Sequence, residues 1–173
     1  MHHRQRSVLS DSLRLQLTEV RPSMGLFGIK YRPCEVTLKD GSIDHHVYVQ
    51  EQQKWLDVWG VDPEDDPGKR SIEIDSVAEI RESPARIPAV FADEIYAAFP
   101  LGREEAVFQL VLDDGRVITC RTGDAIDFLR WPAGVEPRQV VGVRTDVGNH
   151  RPDADIVNAD FAWCLYQGVE PAA

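Results

Sequence analysis

His45 and His46 are the first residues whose types could support chemistry, because imidazole nitrogens bind metals and transfer protons near neutral pH. They are adjacent in a run, residues 43–50, that alternates like a β-strand. Adjacent strand residues point to opposite faces of a sheet, so the pair is poorly placed to share one metal ion. Ligation by one histidine together with Cys34 or Cys120 is the alternative. We predict one exposed and one hydrogen-bonded histidine, and no metal site.

Aspartates are the second group with chemical potential. Asp113 and Asp114 form a turn, and Asp124 and Asp127 follow it. Paired carboxylates act as general acid and base when their surroundings separate their pKa values. Aspartate is also common in turns for its local hydrogen bonds. A small enzyme or ligand-binding β domain that uses His45 or Asp124/Asp127 is therefore an alternative, and we predict no catalytic residue. No phosphate loop, nucleophile elbow or paired Cys-x-x-Cys is present, so no cofactor is predicted.

An acidic loop and several tryptophans make the third group. The loop over residues 62–68 holds two prolines, a glycine and four acids. Its spacing does not match a calcium-binding loop, which needs alternating ligands and a distal glutamate. Tryptophan is a common anchor in protein interfaces, and acidic clusters attract basic partners. The predicted binding residues are Trp55, Trp59, Asp62, Glu64, Asp65, Asp66 and Trp131.

The net charge of the chain limits the classes of partner that we expect it to bind. Of 173 residues, 29 are acidic and 19 basic, which gives a net charge of -10. This charge argues against duplex nucleic acid and against an anionic membrane surface. No run approaches the roughly 18 apolar residues of a membrane span, and we expect no export signal. The three widely spaced cysteines fit buried free thiols, which predicts a cytoplasmic protein.

Two hairpins organise the rest of the chain. Residues 107–123 read as two strands around an Asp-Asp-Gly corner, where Gly115 supplies the positive φ of a tight turn. Residues 36–49 repeat this pattern around Gly41. Third strands are predicted over residues 72–81 and 140–147, and the shared order suggests an internal duplication. Apolar residues on both faces of the 107–123 hairpin predict a central position in its sheet.

Helical and terminal segments complete the prediction. A helix is predicted over residues 88–99, with Phe91, Ile95 and Ala98 on its buried face, and helical turns over residues 50–60. A last strand is predicted over residues 160–167, with a helix as the alternative. Residues 1–23 are more basic than the remainder and are expected to form a tail or an upstream extension before Met24. The alternation of leucines 13, 15 and 17 favours a short strand there.

The predicted fold is α+β, mainly β, in one domain over residues 24–173. It has two hairpin-led antiparallel three-stranded units, at about residues 33–82 and 106–148, in a bent sheet or a small barrel-like arrangement. The expected function is a non-enzymatic acidic module that binds another, basic protein in a bacterial cytoplasm, as an immunity protein inhibits a toxin. Self-association through an exposed strand edge, giving a homo-oligomer, is a further alternative.

Overall fold

The computed structural model describes residues 3–25, 28–99, 105–147 and 154–171. The helices of this part of the chain are α1 (Asp11–Thr18), α2 (Gln52–Trp59) and α3 (Ala89–Ala98). Its strands are β1 (Ser23–Met24), β2 (Lys30–Tyr31), β3 (Pro33–Leu38), β4 (Ile43–Glu51), β5 (Arg70–Ser71), β6 (Val77–Glu82), β7 (Ala106–Leu112), β8 (Val117–Thr122), β9 (Val140–Arg144), β10 (Ile156–Val157) and β11 (Ala162–Tyr166). Single turns of 3-10 helix lie at Pro63–Asp65, Ile74–Ser76 and Pro137–Gln139.

The chain divides into two compact units. The first contains Met1–Pro22, Tyr31–Pro84 and Phe161–Ala173, and the second contains Ser23–Lys30 and Ala85–Asp160. The predicted class, α+β and mainly β, is confirmed. Two details differ from the prediction: within the described residues the sheets are mixed rather than antiparallel, and none closes into a barrel. Strands β1 and β2 pair with each other as a separate two-stranded sheet.

The first unit is built on a five-stranded sheet with the order β5-β11-β4-β3-β6. Strand β3 runs antiparallel to β4 and β6, as a hairpin-led unit requires. Strand β11 lies parallel to both β4 and β5, with Trp163 opposite Tyr48. The predicted last strand therefore becomes an interior strand, and all five of its residues are buried. Interior parallel strands are typically apolar on both faces, as this one is.

Helix α1 covers one face of this sheet. Leu13 and Leu17 are buried, together with Val20, in a cluster with strand residues such as Val47 and Cys164. The prediction of a strand here is wrong: Leu15 is 72% exposed, because it points away from Leu13 and Leu17 on a helix. Ser10 starts the helix by accepting the Leu13 N–H at 3.2 Å. The segment expected to be a tail packs into the core of the first unit.

The second unit contains a four-stranded sheet with the order β10-β8-β7-β9. The β7–β8 hairpin is central, as predicted, and Gly115 has a φ of 87° in its turn. Helix α3 confirms the helix predicted at residues 88–99, and Pro88 is its N-cap. The face predicted for this helix is only partly right: Ile95 is buried, but its buried neighbours are Ala92 and Tyr96. Buried Tyr96 hydrogen-bonds within the unit, so it belongs to the inner face.

The two units share one topology. Each has a helix, a hairpin and a 3-10 turn. In each unit a third strand pairs with the first strand of the hairpin, and a later strand lies parallel to the second strand of the hairpin. The hairpin turns match in their hydrogen bonds: the Leu38 N–H to the Ser42 carbonyl at 2.8 Å, and the Leu112 N–H to the Arg116 carbonyl at 2.9 Å. The strand predicted over residues 72–81 is shorter than expected, because the 3-10 turn Ile74–Ser76 precedes β6. The predicted shared order thus extends to a structural repeat.

Candidate functional site

The acidic loop of residues 62–66 lies in the first unit and is partly neutralised by the start of the chain. Arg6, whose side chain is 1% exposed, donates two hydrogen bonds of 2.7 Å to the carboxylate of Glu64 and lies 3.4 Å from Asp62. This fork is the geometry in which a guanidinium binds a carboxylate most strongly. Asp62 is itself buried and also accepts the Arg4 N–H at 3.1 Å.

These contacts change the acidity of both partners. Hydrogen bonding from Arg6 lowers the pKa of Glu64 from 4.5 to about 2, with a further contribution from the Ser71 hydroxyl. Burial alone would lower the pKa of Arg6, but the hydrogen bond from Arg6 to Glu64, together with the charges of Glu64, Glu73 and Asp62, outweighs burial and raises that pKa. Glu64 therefore stays ionised across the physiological range. Asp65, in contrast, is exposed at the tip of the loop.

Three tryptophans meet on the opposite face of the first sheet from α1. Helix α2 begins after Glu51, whose carboxylate accepts the N–H groups of Gln53 and Lys54. Its four-residue spacing places Trp55 and Trp59 together, with ring centroids 6.1 Å apart. Trp163 of β11 completes a triangle, at 5.7 Å from Trp55 and 6.0 Å from Trp59. We call these three side chains the tryptophan triangle.

The tryptophan triangle is mostly buried. Trp55 is 0% and Trp163 1% exposed, whereas Trp59 is half-buried. Tyr48 stacks on Trp163 with a centroid distance of 4.8 Å and an interplanar angle of 25°. Trp55, predicted as a contact residue, lies buried beside Trp59.

Lys69 joins the acidic loop to the tryptophan triangle. Its Nζ lies 4.5 Å from the ring centroid of Trp59 and 5.4 Å from that of Trp55, within the range of a cation–π interaction. The same ammonium forms an ion pair with Asp66. The structure therefore brings Trp55, Trp59 and Asp66 together, and a lysine between them.

The indole N–H groups of Trp55, Trp59 and Trp163 are buried and have no hydrogen-bond acceptor among the described residues. Buried polar groups in proteins are nearly always hydrogen-bonded, and an exception points to an ion, a water or a ligand. Three such donors in one aromatic cluster therefore make this cluster a candidate ligand-binding site.

Trp131, the remaining predicted binding residue, belongs to the second unit. Its side chain is half-buried, and its indole N–H donates to the Ala85 carbonyl at 2.8 Å. The predicted binding residues are therefore divided between the units, six in the first and one in the second.

The residues of the alternative enzyme hypothesis are also divided. His45 is exposed and bonds Glu35 through Nδ1 at 2.6 Å, and His46 is half-buried. Asp127 is 0% exposed in the second unit and accepts hydrogen bonds of 2.6 Å from Ser23 and Tyr96. Over the described ranges, no three His, Cys, Asp or Glu side chains form a group that could hold a metal.

The cysteines and a surface pocket are the other features that bear on chemistry. The three cysteines are free and buried, as predicted, and burial raises the pKa of Cys164 to about 12 and that of Cys120 further. Such thiols are poor nucleophiles. An open pocket of about 570 Å³ in the second unit is lined by Asp113, Gly134, Val135, Glu136, Arg138 and Gln139. Its Glu136–Arg138 ion pair is exposed to solvent.

Comparison of the chain with protein-family models, curated proteins and solved structures gave no match. None of the helices within the described residues has the length and apolar character to cross a membrane. The fold and site define an acidic α+β protein with a tryptophan triangle beside an acidic loop.

Sequence reasoning missed Arg6, Lys69 and Trp163 as members of this site. Trp163 was placed on a strand correctly, but no local signal says that this strand enters the sheet beside β4. Arg6 lay in a segment treated as separate from the core. Lys69 follows a Pro-Gly turn next to the acids, and its charge among them was the one available signal.

Proposed function

We propose that this protein is a non-enzymatic module that binds a basic protein in the bacterial cytoplasm, in the manner of a stoichiometric inhibitor such as an immunity protein. The binding surface in this proposal is the acidic loop of residues 62–66 with the half-buried Trp59. The net charge of -10 favours encounter with a basic partner. A tryptophan beside charged groups is the composition of many interface hot spots.

The forked contact of Glu64 with Arg6 is the observation that carries this proposal. It demonstrates that the loop holds a guanidinium with two hydrogen bonds of 2.7 Å. Because Asp65 is exposed beside this contact, it is available to an arginine or lysine of a partner. Trp131 stays a predicted contact of the second unit.

Charge reversal at the loop tests the proposal. The immobilised protein, used to capture partners from lysate of its source, should retain one by contacts that weaken as salt rises, because exposed charge pairs are screened. Asp65→Lys should weaken capture of that partner about tenfold or more. Asp146→Lys, the same charge change at an exposed site of the second unit, should leave it unchanged. Equal capture by both variants would refute the loop as the binding surface.

Self-association is a second candidate, because one feature of the second unit favours it. Strand β9 pairs with β7 and, among the described strands, with no other. Its Val141 is 57% exposed, and an unprotected apolar edge can pair with another copy. Light scattering at rising protein concentration should show a dimer that Val141→Lys abolishes. A monomer at all concentrations would eliminate this candidate.

A further inference from the structure

We propose that the tryptophan triangle is a cage for a quaternary ammonium compound that also carries a carboxylate, and that the Lys69 side chain closes this cage in the free protein. The inference goes beyond the proposed protein partner, because the isolated protein suffices to bind such a compound.

The position of Lys69 identifies the cationic half of the ligand. Its ammonium already lies over the faces of Trp59 and Trp55, at 4.5 Å and 5.4 Å from their centroids. The third ring, Trp163, lies about as close to each of these two rings as they lie to each other. Groups of aromatic rings around a cation are the structures that recognise methylated ammonium ions in proteins.

The unpartnered indole N–H groups identify the anionic half. Within the part of the chain that the structure describes, Trp55, Trp59 and Trp163 are donors without an acceptor, and Trp55 and Trp163 are at most 1% exposed. An indole nitrogen is a donor only, so the oxygen atoms of a ligand can serve as its partners. A carboxylate oxygen is a strong acceptor for such donors.

Besides the rings, the Lys69 side chain is paired with an acid of its own turn. Its ion-pair partner, Asp66, lies three residues earlier, and the Lys69 N–H also bonds the Asp66 carbonyl at 3.1 Å. Gly68, with a φ of 87°, bends the chain between them. The segment is anchored on one side by Glu64 bound to Arg6, and on the other by β5 paired with β11. The N–H groups of Asp65 and Asp66 bond the carbonyls of Asp62 and Pro63, so the Lys69 side chain can move off the rings while the 3-10 turn keeps its hydrogen bonds.

A quaternary ammonium competes well with Lys69 for this site. The lysine ammonium is compact and strongly hydrated, so it loses water when it is held over aromatic rings. A trimethylammonium group is weakly hydrated and presents methyl groups to the rings. Its positive charge still gains the cation–π attraction that Lys69 gives up.

Titration with glycine betaine and its uncharged-head isostere tests the cage. 3,3-Dimethylbutanoate has the same shape and carboxylate as glycine betaine, with carbon in place of the quaternary nitrogen. Calorimetry should show saturable binding of glycine betaine and binding of the isostere weaker by about tenfold or more. Equal affinity for both compounds, or no binding of glycine betaine, would overturn the proposal.

Two lysine substitutions test whether the ligand displaces Lys69 or binds without specificity. Lys69→Ala should tighten the binding of glycine betaine by about tenfold, because the internal competitor is gone. Lys54→Ala removes a lysine of the same unit whose ammonium pairs with Glu170, and it should leave the affinity unchanged. Unchanged affinity in Lys69→Ala would contradict the proposal.

The indole resonances provide a readout that needs no substitution in the cage. The chain has four tryptophans, and the N–H of Trp131 already has the Ala85 carbonyl as acceptor. In ¹⁵N-resolved spectra, glycine betaine should move the indole N–H signals of Trp55, Trp59 and Trp163 and leave that of Trp131 in place. A shift confined to Trp131 would assign the binding elsewhere and refute the cage.

Discussion

Arg6 illustrates how one buried charge joins distant parts of the first unit. Its guanidinium connects the start of the chain to Glu64 and Asp62, about 60 residues away. Asp62 is 4% exposed, so its charge is stable there only while a cation compensates it. No pattern near Arg6 announces this role, because its partners are specified by the tertiary fold.

Arg6→Ala should lower the free energy of unfolding by about 2–4 kcal/mol, because it leaves buried carboxylate charge uncompensated. Urea titration followed by circular dichroism measures this loss. The control is Arg81→Ala, which removes a solvent-exposed pair with Glu79 and should leave the free energy of unfolding nearly unchanged. Equal losses in the two variants would contradict the assigned role of Arg6.

The depressed pKa of Glu64 predicts an acid-sensitive contribution to stability. A carboxyl group with a folded pKa below its unfolded value stabilises the fold above the unfolded pKa. Here the effect is complete above pH 4.5 and is lost as the pH falls towards about 2. Since part of the side chain is exposed, we expect a contribution of about 1–2 kcal/mol.

Comparison with Glu64→Gln isolates this contribution. The wild type should be more stable than the variant at about pH 6, and the difference should shrink as the pH falls from about 5 to about 2. A difference in unfolding free energy that is constant over that range would show that the ionisation of Glu64 is not involved.

The sequence of helix α1 fits the hydrophobic pattern of a strand as well as that of a helix. Alternating leucines at positions 13, 15 and 17 favour a strand, but positions 13 and 17 are also one helical turn apart. The Ser10 cap and the burial of Leu13 and Leu17 against the sheet stabilise the helix rather than a strand. The hairpins were predictable because Gly41 and Gly115 specify their turns locally, whereas α1 depends on a surface that other segments build.

Leucine substitutions distinguish the helix from the strand. On a strand the three leucines share one face, so Leu15 and Leu17 would respond alike. On the helix, Leu17→Ala should cost about 2–5 kcal/mol and Leu15→Ala at most about 0.5 kcal/mol. Thermal or urea unfolding of the two variants measures the difference, and similar losses would contradict the helix.

At the scale of the whole chain, the structure is a repeated unit in which the first copy is completed by the C-terminal strand. The repeated order of hairpin and third strand was predictable from sequence, because it rests on local turn signals. The parallel position of β11 was not predictable from sequence, because parallel pairing joins segments far apart in the chain and has no local sequence signal. That pairing also creates the tryptophan triangle, so the proposed site depends on it.

Proton cross-relaxation between aromatic rings tests this pairing and the site together. If β11 lies beside β4, nuclear Overhauser spectra should contain cross-peaks from the ring of Trp163 to those of Tyr48, Trp55 and Trp59, whose centroids lie 4.8, 5.7 and 6.0 Å away. Cross-peaks among Trp55, Trp59 and Tyr48 that exclude Trp163 would contradict both the sheet order and the cage.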